Sequence, residues 1–245
     1  MEFLSLYWWR ILASVVIAYL IGSFSFAVIF SKHSKEGKDV REMGSGNAGF
    51  TNVLRTVGAV PAALTFIFDC LKGILAVHLA VLVVNLPFDN EGIKLLTETA
   101  QVEYLSYVKH IAGVFVVIGH CFPVFFGFRG GKGVTTTGGV LGVLDWRVLL
   151  ICMTLWLIIF LFARIISVAS MSAIVLVVIF NFLIKYFFEY KSSLETASPH
   201  SLTYVLVTTG ALLFIALLSL FMHRANIGRI IRGEEKKITV KKKSA

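Results

Sequence analysis

The sequence predicts an all-α membrane protein with seven transmembrane helices, its amino terminus outside and its carboxyl terminus in the cytoplasm. Three observations lead there. Of 245 residues, 57% are hydrophobic and 15% charged, with mean hydropathy +0.84. That is too little charge to cover a water-facing globule of this size. Six apolar runs approach the roughly 20 residues needed to cross a hydrocarbon core. The segments between them alternate in charge.

The runs are Tyr7–Phe30, Val57–Leu86, Val108–Phe128, Val148–Ala163, Ile165–Tyr186 and Leu202–Met222. A seventh, Gly133–Leu144, is short and rich in Gly and Thr, so hydropathy alone does not decide it. Parity does, because cytoplasmic loops carry the excess of Lys and Arg. Lys32 to Arg55 is net +2 and Asn85 to His110 is net −2, the latter from Lys94 and Lys109 against Asp89, Glu91, Glu98 and Glu103. Arg129 with Lys132 marks the next inside loop and Arg164 another, while Lys185–Ser201 is neutral. The sides alternate only if Gly133–Leu144 is a span and Asp145-Trp146-Arg147 a tight outside turn.

Residues 1–223 therefore read as one membrane domain and 224–245 as a basic cytoplasmic tail. The tail sets eight Lys/Arg against Glu234 and Glu235 and supplies most of the formal net charge of +9. A juxtamembrane cluster of this kind suits an anionic leaflet, so membrane lipid rather than nucleic acid is the expected partner. Cys70, Cys121 and Cys152 lie in apolar runs and read as buried small hydrophobes without a disulfide framework. No cleavable signal peptide is evident, since Tyr7–Phe30 is long enough to span and lacks a clear basic n-region.

Three polar islands interrupt this chain, at 44–55, 130–133 and 223–226, and the topology puts all three on the cytoplasmic face. Gly130, Gly131 and Gly133 around Lys132 allow backbone amides to converge on an anion, with Lys132 adding a charge. A flexible inside turn is the plainer reading. The loop is not a Walker A motif, because no Gly lies five residues before Gly131 and Gly133 replaces the magnesium-binding Ser/Thr. Gly44, Gly46 and Gly49 fit a dinucleotide fingerprint with Asp69 downstream, but no strand precedes them. In that island Ser45, Asn47, Thr51 and Asn52 offer hydrogen-bond groups and Arg55 can grip a phosphate bidentately. Ser45 or Asn47 alternatively caps a helix starting near Thr51.

Asp69 and Lys72 share a helical face within the second span, as a structural ion pair or as part of a polar cavity. Ser167 and Ser170, following Arg164, either donate to a substrate or let helices pack closely. His223 and Asn226 share a face at the end of the last span, with Arg229 one turn on, placed for proton transfer or phosphate binding. No Asp or Glu is spaced to orient His223. No metal is expected, for want of a His/Asp/Glu ligand group within reach.

These motifs together resemble the bacterial acyl-phosphate:glycerol-3-phosphate acyltransferases, small membrane-integral enzymes. The resemblance runs from about Gly22 to Glu234. It rests on Gly44–Arg55, on Asp69-Cys70-Leu71-Lys72-Gly73, on Gly119–Phe125 leading into Gly130–Val134, on Arg164–Ser167, and on His223–Arg229. Phe50 stands where the family usually has a small residue, which narrows the expected acyl entrance. The resemblance implies transfer of a fatty acyl group from acyl phosphate to the sn-1 hydroxyl of glycerol 3-phosphate, without a cofactor or an obligate protein partner, at the bacterial cytoplasmic membrane. It also implies that Ser45, Arg55, Lys132, a serine of 164–170, His223 and Asn226 line the site. A small organic-anion transporter is the rival class; it requires polar residues through the outer halves of the spans, which read as almost purely apolar.

Overall fold

The computed structural model describes residues 2–86 and 97–237, with side chains from residue 8 onward. Asp89, Glu91 and Lys94, and the Lys241–Lys243 run, which the charge argument used, lie outside those residues. Every described element is helical. The main helices are α1 Glu2–Gly22, α2 Phe26–Lys32, α3 Phe50–Thr56, α4 Ala59–Val84, α5 Glu98–Cys121, α6 Val134–Leu144, α7 Trp146–Ala163, α8 Ile166–Leu183, α9 Leu202–Met222 and α10 Arg224–Ile231. The chain relaxes into a π-helix at Ile184–Lys191, directly after α8.

Six stretches are long and apolar enough to cross a membrane: Trp8–Lys32, Ala59–Val84, Glu98–Phe126, Trp146–Ala163, Ile166–Lys191 and Leu202–Met222. The doubtful seventh element exists as α6, an apolar helix of 11 residues. At 1.5 Å per residue it rises roughly 16 Å, about half of a hydrocarbon core. Side-chain caps set the starts of several helices. Thr97 accepts from the Ala100 amide, Asp145 from the Arg147 amide and Ser201 from the Tyr204 amide.

Helix α4 is central, packing on α1, α5 and α6, while α5 also packs on α1 and α9, and α8 joins α7 to α9. Two crossings are close because glycines allow the backbones to touch. A Cβ at Gly119 would lie 2.2 Å from the Tyr19 carbonyl oxygen, tying α5 to α1. A Cβ at Gly139 would lie 2.1 Å from that of Cys70, tying α6 to α4.

The end of the bundle away from Lys132, which the sequence reading places outside, is less apolar than that reading holds. At the end of α6 opposite Lys132, Arg147 pairs with Asp145 at 2.7 Å and with Glu189 at 2.5 Å. Lys185 pairs with Glu189 at 3.0 Å, and the Tyr204 hydroxyl donates to the same carboxylate at 2.7 Å. The π-helical continuation of α8 carries Lys185 and Glu189 into this cluster. Counted as loop residues from Lys185 to Ser201 they merely cancel; folded, they close an ion network that satisfies its own charges.

The α4–α6 crossing leaves no room for a side chain at Gly139. Gly139→Ala should destabilise the protein by about 1–3 kcal/mol, as overpacking does. Thermal unfolding in detergent measures this, and an unchanged midpoint would mean that the two helices are not held in register there.

Candidate functional site

One cavity of about 490 Å³ opens among the polar islands and continues between α6, α7 and α8. Its polar end is lined by Ser45, Asn47, Thr51, Asn52, Arg55, Asp69, Lys132, Gly133, Ser167, Ser170, His223 and Asn226. Its deeper wall is apolar, with Leu141, Leu149, Met153, Trp156, Ile174 and Val177. Phe50 also lines it, edge-on to Phe66 at 5.7 Å between centroids, so the aromatic that departs from the family pattern does face the cavity.

The 44–55 island is organised around one buried amide. Asn52 donates through Nδ2 to the carbonyls of Val40, Met43 and Asn47, and its Oδ1 accepts from the Ser45 amide at 3.0 Å. The expectation that Asn52 binds substrate is therefore corrected, because its polar atoms are spent holding the loop. The loop is also tied down through Arg41, whose guanidinium pairs with Asp39 at 2.8 Å and donates to the Phe126 carbonyl at 2.6 Å. The result presents Ser45 and Arg55, both exposed, at the mouth.

The glycine loop needs a second correction. The Gly130 amide donates to the Cys121 carbonyl and the Gly131 amide to that of His120, both at 3.1 Å. These amides satisfy the orphan carbonyls at the end of α5 and do not converge on an anion. Neither glycine lines the cavity. They are glycines because the loop doubles back tightly: a Cβ at Gly131 would lie 2.2 Å from His120 Nε2. Gly133 differs, with a left-handed φ of 83° that turns the chain into α6 and brings the first turn of that helix to the cavity.

Lys132 is held on both sides. Ser219 Oγ donates to its carbonyl at 2.9 Å, and its Nζ donates to Asn226 Oδ1. Asn226 Nδ2 in turn donates to Glu235 at 2.5 Å, a carboxylate that also accepts from Ser167 Oγ at 2.7 Å and Arg229 Nε at 2.6 Å. Burial, with Arg229 and Arg55 nearby, lowers the Lys132 pKa to about 8 although Glu235 opposes the shift. Burial raises the Glu235 carboxyl, but the hydrogen bonds from Ser167, Arg229 and Asn226 outweigh it and leave the group below its ordinary value.

His223 Nδ1 donates to the Ser219 carbonyl at 2.8 Å, which leaves Nε2 as an acceptor. Burial and the charge of Lys132 lower its pKa to about 4, so the ring is neutral at physiological pH. Lys72 is the third correction: it does not line the cavity. It lies behind Asp69, paired with it at 2.8 Å, and donates to the Phe24 carbonyl at 2.8 Å. Its role is to balance Asp69 and bridge α4 to the α1–α2 break. Ser170 Oγ accepts from Trp156 Nε1 at 3.2 Å and so also fastens α8 to α7.

Two ionisable lining residues, His120 and Glu235, escaped the sequence reading. His120 sits with Nδ1 3.6 Å from Asp69 Oδ1, an acid partner 51 positions away that no local spacing reveals. Arg229 was visible one turn beyond Asn226, while Glu235 was assigned to the tail. The division at 223/224 therefore cuts through the site, because α10 and the segment after it bring Asn226, Arg229 and Glu235 back to Lys132 and Ser167. Among the described residues, no group of three His, Cys, Asp or Glu side chains could hold a metal ion.

A family model described as glycerol-3-phosphate acyltransferase matches residues 12–233. The chain is 36% identical over 230 residues to the glycerol-3-phosphate acyltransferase of Francisella tularensis subsp. novicida, covering 94% of each chain. It is 37% identical over 223 residues to that of Bartonella henselae, covering 91% of this chain and 89% of the other. It is similar to the crystal structure of PlsY (YgiH), an integral membrane glycerol 3-phosphate acyltransferase, in its glycerol 3-phosphate form. There the TM-score is 0.73 at 34% identity, covering 94% of this chain and 96% of that one. The lysophosphatidic acid form of PlsY gives a TM-score of 0.70 at 32% identity, covering 94% and 95%.

The electrostatics of Lys132 are open to a direct measurement. Its amine should label with a pH midpoint of about 8 by mass spectrometry. Glu235→Gln should shift that midpoint down and Arg229→Gln should shift it up. A midpoint in the ordinary lysine range would show that Lys132 is not desolvated.

Proposed function

Because the chain belongs to the glycerol-3-phosphate acyltransferase family, it is an acyltransferase, and we propose that it moves a fatty acyl group from acyl phosphate to the sn-1 hydroxyl of glycerol 3-phosphate. The products are lysophosphatidate and inorganic phosphate. The observation that carries this reading is the division of one cavity into a cationic end, with Arg55, Lys132 and Arg229, and an apolar arm. An acyl phosphate and glycerol 3-phosphate need both. Two anionic phosphates brought close repel strongly in a poorly screened site, so fixed cations are required.

The donor is a mixed anhydride and is already activated, so the protein's work is positioning and charge stabilisation. Lys132 and the first turn of α6 serve the acyl phosphate, and Arg55 with Ser45, Asn47 and Thr51 serves glycerol 3-phosphate. Asn226 Nδ2 spends one hydrogen on Glu235 and keeps a second for the oxyanion that develops on the acyl carbonyl. His223 Nε2 accepts the hydrogen of the attacking hydroxyl. A histidine with pKa about 4 is a weak base, whereas the trianionic phosphate released as the acyl–oxygen bond breaks is a far stronger one. The proton therefore ends on the departing phosphate: the new C–O ester bond forms, the C–O bond to phosphate breaks, and HPO₄²⁻ leaves. Neither a cofactor nor an obligate protein partner enters.

The seven-helix topology with an external amino terminus, in a bacterial cytoplasmic membrane, belongs to this proposal. What supports it is that Arg55, Lys132 and Arg229, one cation from each of three net-positive segments, line the cavity's polar end together. The transporter alternative loses ground because Asp145, Arg147, Lys185 and Glu189 neutralise each other and do not line the cavity.

Purified protein supplied with palmitoyl phosphate and glycerol 3-phosphate should release phosphate and lysophosphatidate; product from acyl-CoA alone would refute the donor. Lys132→Ala should abolish turnover. His223→Ala should lower it by about 100-fold or more, and near-normal turnover at saturating substrate would remove His223 from the mechanism. Lys132 must be protonated, so kcat/KM should fall as pH rises through about 8, and any acid limb between about pH 5 and 7 should track the substrate phosphates and persist in His223→Ala. In Lys132→Arg the alkaline limb should disappear from whatever activity remains.

A further inference from the structure

Helix α6 places Val134, Thr137, Gly138 and Leu141 on one face of the cavity, at the i, i+3, i+4, i+7 spacing of a single helical stripe. Gly138 is the odd member. Glycine inside a helix is unfavourable relative to alanine, so a helical glycine calls for a reason. The adjacent Gly139 has one: a Cβ there would strike the Cys70 carbonyl oxygen at 2.1 Å. Gly138 has neither a left-handed backbone nor a close neighbour. Among the described residues no atom lies within 4 Å of a Cβ placed there. That empty space is the cavity itself.

Gly138 lies five residues beyond Gly133, roughly 7.5 Å deeper at 1.5 Å per residue. It therefore marks the level at which the lining passes from the polar end to the apolar wall of Leu141, Met153, Trp156 and Ile174. Resting on the acyl-transfer reading above, we propose that Gly138 is a specificity-determining notch. Its missing side chain keeps open the passage through which a long acyl chain leaves the phosphate end. Any side chain at 138 projects into that passage, and the obstruction grows with its size.

Gly210 on α9 supplies the control. It too has no atom within 4 Å of an added Cβ, but it is exposed on the outside of the bundle and does not line the cavity. The test is the series Gly138→Ala, Gly138→Val and Gly138→Leu beside Gly210→Leu, each with its thermal unfolding midpoint. Gly138→Ala should melt no lower than wild type, since its methyl has room; a lower midpoint would overturn the notch. Across the series kcat/KM for palmitoyl phosphate should fall progressively, by about tenfold or more at Gly138→Leu, while KM for glycerol 3-phosphate stays unchanged. Unaltered palmitoyl phosphate kinetics in Gly138→Leu, an equal loss in Gly210→Leu, or a parallel rise in both KM values would each overturn the proposal. If wild type made nothing from palmitoyl phosphate, the donor reading would fail by itself. Palmitoyl lysophosphatidate binding would then decide the notch: Gly138→Leu should weaken it and Gly210→Leu should not, and equal affinities would refute it.

Discussion

The Lys132 ammonium group lies in the polar end of the cavity and is largely withdrawn from water, and a charge in such a place has to be held from several directions. Its carbonyl is held by Ser219, its Nζ by Asn226, and the glycines before it are fastened to the exposed carbonyls of α5. Each tether comes from a different part of the chain. The placement of one cation thus requires α5, α6, α9 and α10 to meet at a single point. An isolated lysine there would lose its proton or withdraw toward water. The network lets it remain cationic to about pH 8.

Bringing α6 to that point depends on a second buried arrangement. The Gly139 contact sets α6 against α4, and α4 carries Asp69 and Lys72 as an ion pair with His120 alongside. Burying a charge inside a membrane domain is costly unless it is paired. Here the pair is anchored further by the Lys72 bond to the Phe24 carbonyl, where α1 gives way to α2. The polar residues of the second span therefore do two jobs. Asp69 reaches the cavity wall, and Lys72 braces the helices that form it.

Much of this was legible in the sequence because polar groups in an apolar chain are conspicuous. The six long helices follow from run length, whereas charge parity asks for a seventh span at 133–144, where the described helix α6 has 11 residues. Residues that line the cavity, such as Ser45, Arg55, Lys132, His223 and Asn226, stand out by type and clustering. What stayed hidden depends on hydrogen-bond accounting. Asn52, Gly130 and Gly131 look like ligand groups by composition, and only the folded loops show that their donors are already committed. His120 and Glu235 were hidden for the opposite reason. Their partners, Asp69 and Ser167, lie far away in the chain, and no periodicity carries that information. The ion network at the far end of α6 escaped because Lys185 and Glu189 cancel in a net-charge count whether or not they touch.

A carboxylate in a site proposed for two phosphates looks like a contradiction, and the energetics of Lys132 resolve it. Burial and the fields of Arg55 and Arg229 all favour the neutral amine; Glu235 is the nearby group that opposes them. Without it, the cation proposed to meet the acyl phosphate would be scarcer at physiological pH before any substrate arrived. Glu235 is itself kept ionised by Ser167, Asn226 and Arg229, so its charge is a fixed feature of the empty site. With three cations against it, the mouth still attracts anions. The carboxylate thus sets how many protons the site holds while leaving the sign of its charge positive. It does so through Asn226, whose amide touches both the ammonium and the carboxylate and so couples the placement of one to the ionisation of the other.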